Sequence, residues 1–183
     1  MQKNSELRKI CKDFAKRESG IIDIVLFGSV AREKERPRDI DIALITAEKI
    51  NPEALEKRIS GGMKMPVHVT VMKPDTVFKE TLWKTVIHEG VSLLDGRRIS
   101  EKLGFEPYVM FWYNLAKLKA SDKVRFSHAL YGRGGSGGLL KKSKGRQLGR
   151  GVLLVPVNRE DEMRDLFFEW GLPFERMRIL AEK

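Results

Sequence analysis

Residues 26–45 read LFGSVAREKERPRDIDIALI, and the predicted fold is built outward from this stretch. The apolar run Ile21–Phe27 predicts a buried strand, which Gly28 and Ser29 end with a tight turn. A charged loop follows, and residues 39–45 predict a second strand. These two strands and the turn between them form the expected centre of an α/β domain.

Two aspartates begin the second predicted strand. Because strand side chains alternate between faces, Asp39 and Asp41 share one face. Strand interiors disfavour Asp, and two carboxylates on one face repel unless a cation lies between them. The backbone N–H groups of the Gly28–Ser29 turn could face a phosphate. Asp-x-Asp alone is common at strand ends, but with this turn it indicates a site for Mg²⁺ (or Mn²⁺) carrying a nucleotide's phosphates.

The same residues resemble the signature of a known family. Gly-Ser, then about ten residues, then Asp-x-Asp on the next strand is the pattern of the nucleotidyltransferase superfamily of the DNA polymerase β type, especially its small prokaryotic members. Ala31-Arg32 is similar to the small-residue-then-Arg step that often follows Gly-Ser in that family. The stretch IHEGVSLLDG, residues 87–96, is similar to the helix end and strand that close the family's core. The resemblance covers roughly the first hundred residues.

Membership of that family implies transfer of a nucleoside monophosphate from a nucleoside triphosphate, such as ATP, to an acceptor. The resemblance assigns the metal and the catalytic step to Asp39 and Asp41. It assigns nucleotide binding to Gly28, Ser29 and Arg32.

A third catalytic candidate comes from a departure from the family's pattern. The family commonly places another carboxylate on a later strand, but the matching residues 65–72, MPVHVTVM, contain neither Asp nor Glu. His68 occupies about the expected position. Its imidazole could act as a base or a metal ligand, and it could equally be a partly exposed strand residue.

The charge of the chain is concentrated in its second half. The net charge is +10, and residues 117–150 contribute ten basic residues against one acidic residue, Asp122. Concentrated positive charge is typical of a polyphosphate partner, here a nucleic acid and RNA more than DNA, although a solvated basic surface has the same composition. The candidate nucleic-acid-binding residues are Arg125, Arg133, Lys141, Lys142, Lys144 and Arg146.

The residues around this charge predict a basic hairpin. Residues 123–131, KVRFSHALY, alternate in the manner of a strand and run into the glycine-rich segment 132–138. The segment lacks the known phosphate-loop spacings. It could close over a substrate, wrap a nucleic-acid backbone, or be a plain mobile hairpin tip.

Two domains follow from these patterns. Residues 1–100 predict a nucleotidyltransferase-like α/β domain, a small mixed sheet with flanking helices expected on one side. Residues 101–183 predict a smaller, basic α+β domain that binds substrate or nucleic acid. The absence of a long apolar run predicts no membrane span, and a single cysteine, Cys11, excludes an internal disulfide and favours the cytoplasm.

Three functions are compatible with the sequence. The first is an enzyme that modifies RNA, tRNA or another acceptor, including a protein hydroxyl. The second is a nucleic-acid-binding protein on a catalytically weakened core, suggested by the missing carboxylate. The third is a nucleotide-dependent, antitoxin-like protein modifier, which the additional second domain disfavours. The sequence leaves the nucleotide, the acceptor and the oligomeric state open.

Overall fold

The computed structural model describes residues 2–134 and 137–182, with side chains from Ser5 onward. The chain forms two compact units, Met1–Phe105 and Glu106–Lys183. Among the described residues, no helix is both long and apolar enough to cross a bilayer.

The first unit is built on a four-stranded mixed sheet. Its strands are β1 (Ile21–Phe27), β2 (Ile40–Thr46), β3 (Val67–Met72) and β4 (Val91–Ser92), in the order β3-β2-β1-β4. β1 runs antiparallel to both β2 and β4, whereas β2 and β3 are parallel. The predicted mixed sheet is therefore confirmed.

Among the described residues, this unit has five helices: α1 (Gln2–Ala15), α2 (Gly28–Ala31), α3 (Pro52–Met63), α4 (Thr81–Glu89) and α5 (Ile99–Lys102). α3 continues through the Gly61-Gly62 pair to Met63. Met63 is 8% exposed and extends the buried stripe of Leu55 and Ile59 by one turn. Burial of that side chain offsets a cost of about 1 kcal/mol for each helical glycine.

Helices cover both faces of the sheet rather than the single face that was expected. On one face, Ile24, Ile42 and Leu44 pack with residues of α1 and α3. On the other face, Val25 and Ala43 pack with residues of α4 and α5, and with the 3-10 turn that precedes α4. The alternation of β1 and β2 serves both cores, since nearly every residue of these central strands is buried.

In the part of the second unit that the structure describes, a four-stranded sheet packs with three helices. Its strands are β5 (Phe105–Tyr113), β6 (Arg146–Gly149), β7 (Val152–Pro156) and β8 (Phe174–Glu182), in the order β6-β7-β5-β8. β7 is antiparallel to β5 and to β6. The helices are α6 (Ala120–Tyr131), α7 (Leu139–Lys142) and α8 (Glu160–Glu169). Phe111, Phe126 and Phe167 are fully buried at its centre. The α+β class of this part is confirmed.

The strand predicted over 123–131 is wrong, because these residues form most of α6. Phe126 and Leu130, one helical turn apart, are fully buried, whereas Val124 is 56% exposed and His128 is exposed. Val124, Phe126 and Leu130 fit the two-residue period of a strand, but only Phe126 and Leu130, four residues apart, enter the core.

The predicted basic hairpin is wrong for the same reason. The glycine-rich segment 132–138 connects α6 to α7 and does not join two strands. Residues 135 and 136 of this segment lie outside the described residues.

Candidate functional site

Three neighbouring strands bring the predicted site residues of the first unit together. Phe27, the last residue of β1, is opposite Asp41 of β2, and Asp41 is opposite His68 of β3. Gly28 and Ser29 follow Phe27 directly as the first residues of α2. Because residues paired across a sheet point to the same face, the Asp41 and His68 side chains are neighbours beside the turn.

The backbone of Gly28 and the carboxylate of Asp41 approach each other closely. Gly28 has φ +73°, a conformation that favours glycine. A Cβ atom at this position would lie 2.3 Å from Asp41 Oδ2. Only a residue without a side chain permits this approach, so the glycine of the motif has a direct structural reason.

Asp41 lies in a charged and partly desolvated environment. Burial raises the pKa of its carboxyl above the usual range, and the negative charges of Asp39 and Glu89 raise it further. His68 and Arg32 act in the opposite direction on the same pKa. Asp39, directly before β2, is half-buried. A cation between the two aspartates would relieve the repulsion that the pKa of Asp41 records.

Glu89, at the end of α4, is a site residue that the sequence analysis did not select. Its side chain is 1% exposed, and its Oε2 atom accepts hydrogen bonds from Gly28 N–H at 3.1 Å and from Arg32 Nη1 at 2.6 Å. The Gly28 N–H that was expected to face a phosphate is therefore occupied by a carboxylate. The sequence signal was a Glu in the quoted stretch 87–96, but its partners lie 57 and 61 residues away along the chain.

Ser29 adds an unsatisfied polar atom to the turn. Its Oγ atom is inaccessible to solvent and has no hydrogen-bond partner among the described residues. An unpaired buried hydroxyl costs about 1–3 kcal/mol. The turn thus retains a hydroxyl whose bonding capacity is unused by the protein in the described part.

The donor set suits a metal ion that shares its coordination with a substrate. In the described residues, no group of three or more His, Cys, Asp or Glu side chains is arranged to hold a metal. Asp39 and Asp41 supply hard carboxylate oxygens, and Mg²⁺ is characteristically held by one or two carboxylates together with substrate phosphates and water. The residues present fit that mode of binding.

The basic residues predicted in the second unit lie on several elements. Arg125 on α6 is 3.4 Å from Asp122 and stacks over Trp170, and Arg146 on β6 stacks over Tyr108. Lys141 and Lys142 belong to α7, and Lys144 follows it. Arg133 lies in the segment after α6. The three lysines are exposed and form the densest positive group of the set.

The sequence of the first unit matches a known family. Residues 9–98 match the sequence model of the family described as Polymerase beta, Nucleotidyltransferase. We found no match among curated proteins. A toxin-antitoxin crystal structure with AMP-PNP is 20% identical, with 55% of this chain and 78% of that chain aligned and a TM-score of 0.41. The toxin-antitoxin MntA-HepT is also 20% identical, with 56% and 77% aligned and a TM-score of 0.38.

Replacing Gly28→Ala tests the contact with Asp41. We expect a loss of stability beyond the ~1–2 kcal/mol that left-handed backbone costs an alanine, because the new Cβ also collides with the carboxylate. Gly104→Ala is the control, since Gly104 has φ +82° with no atom within 4 Å of the added Cβ. Denaturant unfolding measures these losses. In an Asp41→Ala background, Gly28→Ala should destabilise the protein no more than Gly104→Ala does, because the carboxylate is gone. Equal losses in both single variants would contradict the contact.

Replacing Glu89→Gln tests the buried pair with Arg32. The amide keeps an acceptor for Gly28 N–H but leaves a positive charge poorly compensated, so we expect a loss of about 2 kcal/mol in the free energy of unfolding. Glu53→Gln is the control, because Glu53 is 4.0 Å from Lys57 on the surface of α3, where such a pair contributes about 0–0.5 kcal/mol. Similar losses in the two variants would show that the Glu89 pair is not special.

Proposed function

We propose that this chain, whose residues 9–98 form a nucleotidyltransferase domain of the polymerase β type, is a metal-dependent enzyme. It transfers a nucleoside monophosphate from a nucleoside triphosphate to an acceptor. The observation that supports this proposal most directly is the approach of the Asp41 carboxylate to the Gly28 turn, with Asp39 in electrostatic range. This arrangement presents carboxylate oxygens directly beside the Gly28–Ser29 turn.

Asp39 and Asp41 are the proposed metal ligands. A bound Mg²⁺ neutralises phosphate charge and stabilises the phosphoryl group under attack. The protein's own contribution is to hold two carboxylates together against their repulsion, which the strand pairing of Asp41 with Phe27 and His68 enforces.

The turn that follows β1 is the proposed phosphate contact. Gly28 contributes the absence of a side chain, and Ser29 contributes a hydroxyl that has no partner among the described residues. Rotation of the Ser29 side chain to another staggered position would let this hydroxyl donate to a phosphate oxygen. Arg32, 17% exposed and anchored on Glu89, keeps a positive charge at the same turn.

His68 is the proposed acid–base group. It is exposed on the edge strand β3 next to Asp41, so an acceptor can reach it from solvent. In its neutral form the imidazole can accept the proton of the attacking hydroxyl. This role corresponds to the carboxylate that the family commonly places on the strand and that this chain lacks.

A nucleic acid, with RNA favoured over DNA, is the proposed acceptor. Lys141, Lys142 and Lys144 are exposed, and in the described part of the chain none of them has a carboxylate within ion-pair distance. Cations that are not neutralised by the protein are the groups that release counterions when they contact phosphates. The alternative is a nucleic-acid-binding protein with a weakened catalytic core, which the missing carboxylate of β3 favours.

Asparagine at both aspartates tests the enzymatic proposal. We expect Asp39→Asn/Asp41→Asn to lose transfer of label from an α-labelled nucleoside triphosphate by at least about 10³-fold, since the metal ligands lose their charge. Asp75→Asn, an exposed aspartate outside the site, should retain activity. The assay uses Mg²⁺, each of the four nucleoside triphosphates and total RNA as the acceptor pool. Undiminished transfer by the double variant would reject the assignment.

Salt dependence tests the acceptor surface and separates the two candidate functions. Changing Lys141, Lys142 and Lys144 to Gln should make the slope of log K against log salt less negative by about 2 for single-stranded RNA. An unchanged slope would exclude these lysines as the contact. RNA binding with this slope by a wild-type protein that shows no transfer would favour the binding protein over the enzyme.

A further inference from the structure

A polar pocket of about 540 Å³ in the second unit has no role in the function proposed above. It lies at the end of β5, beside α6 and the turn that joins β6 to β7. A backbone hydrogen bond holds two of its lining residues together, because Tyr113 N–H donates to the Gly151 carbonyl at 2.9 Å. Gly151 has φ +73°, and a Cβ atom there would lie 2.6 Å from the Tyr113 carbonyl oxygen. The turn is therefore packed against the strand without room for a side chain.

Two phenol groups meet in this pocket. The hydroxyls of Tyr113 and Tyr131 are 3.0 Å apart, which is hydrogen-bond distance. One O–H donates to the other oxygen, so the accepting tyrosine keeps its own O–H as a donor. Among the described residues, neither hydroxyl has another partner. The Tyr113 ring packs against Phe126 and Phe167 of the core, whereas Tyr131 is 37% exposed. The pair thus offers a hydroxyl donor and the ring of Tyr131 to a ligand.

The charge of the pocket is entirely positive. Lys123 from α6 and Arg150 from the β6–β7 turn both line it, and its described lining contains no Asp or Glu. Within residues 2–134 and 137–182, no carboxylate lies within ion-pair distance of either cation. Two uncompensated cations beside a hydroxyl donor are suited to an anion that accepts several hydrogen bonds, as a phosphate does.

A larger hollow of about 740 Å³ in the same unit lacks this property. Its cation, Arg176, is paired with the buried carboxylate of Glu160, and Glu175 also lines the hollow. The positive charge there is already neutralised by the protein. Of these two pockets, only the smaller one has cations that no carboxylate of the described residues neutralises, so it is the one suited to an anion.

We propose that the pocket binds a nucleoside monophosphate group, either as a free nucleotide or as the phosphorylated end of a nucleic-acid strand. Lys123 and Arg150 contact the phosphate, the tyrosine hydroxyl pair donates to it, and the exposed ring of Tyr131 contacts the base or sugar. The volume lies within the usual 300–1,000 Å³ of small-molecule sites and exceeds what a phosphate alone fills. The proposal concerns only the second unit and does not depend on the chemistry of the first.

Calorimetric titration of the full chain with AMP in the presence of EDTA tests the site, since the pocket needs no metal. We expect Lys123→Gln/Arg150→Gln to weaken AMP binding by about tenfold or more. Lys12→Gln/Lys16→Gln removes the same charge from the exposed surface of α1 and the turn that follows it, and should leave the affinity unchanged. Equal weakening in the two variants, or no binding by the wild type, would overturn the proposal. Tyr131→Phe, which removes one hydroxyl and no charge, should weaken binding several-fold with unchanged thermal unfolding.

Competition against AMP distinguishes the two sources of the ligand. An oligoribonucleotide with a 5′-phosphate that displaces AMP, when its 5′-hydroxyl form does not, identifies a strand end as the ligand. Failure of both oligonucleotides with retained AMP binding identifies a free nucleotide. Inorganic phosphate that binds as tightly as AMP would overturn the nucleoside part of the proposal.

Discussion

The close approach of the Asp41 carboxylate to the backbone of Gly28 is the constraint on which the first unit depends. β1 and β2 are paired so that Phe27 is opposite Asp41. This register places Gly28, the residue after Phe27, next to the Asp41 carboxylate. The buried carboxylate of Glu89 accepts hydrogen bonds from the Gly28 N–H and from Arg32, and these bonds fix the turn. Burial and negative neighbours raise the pKa of Asp41, so the fold opposes ionisation of this carboxyl. A divalent cation beside it would favour the ionised form.

The same arrangement explains why a small domain can hold like charges together. The central strands are buried on both faces by two cores, which makes the register of β2 costly to change. Burial of apolar residues along β1 and β2 therefore offsets the repulsion between Asp39, Asp41 and Glu89. Arg32 provides partial compensation within the protein, and a nucleotide-bound metal ion would provide the remainder in the function that we propose.

In the second unit, one misassigned element changes the interpretation of the basic segment. The expected hairpin would have placed its cations along one ribbon, whereas a helix, a glycine-rich connection, a short helix and an edge strand distribute them over several surfaces. Lys141, Lys142 and Lys144 remain a compact exposed group, while Lys123 and Arg150, distant in sequence, line a pocket with two tyrosines. The nucleic-acid partner stays a prediction, and the pocket gives it a specific place to be tested.

The sequence by itself determined the mixed sheet of the first unit, the turn after β1 and the family of residues 9–98, because strand periodicity and the Gly-Ser and Asp-x-Asp spacing are local signals. It also determined the α+β class of the second part. Local signals did not distinguish a helix from a strand over residues 123–131. Val124, Phe126 and Leu130 fit the two-residue period of a strand, only Phe126 and Leu130 fit the helical period, and only the core selects this pair. Only the tertiary structure brought Glu89 to Gly28 and Arg32, and placed Lys123 and Arg150 in the lining of one pocket. These residues are far apart in sequence, and their proximity depends on how whole helices pack on their sheets.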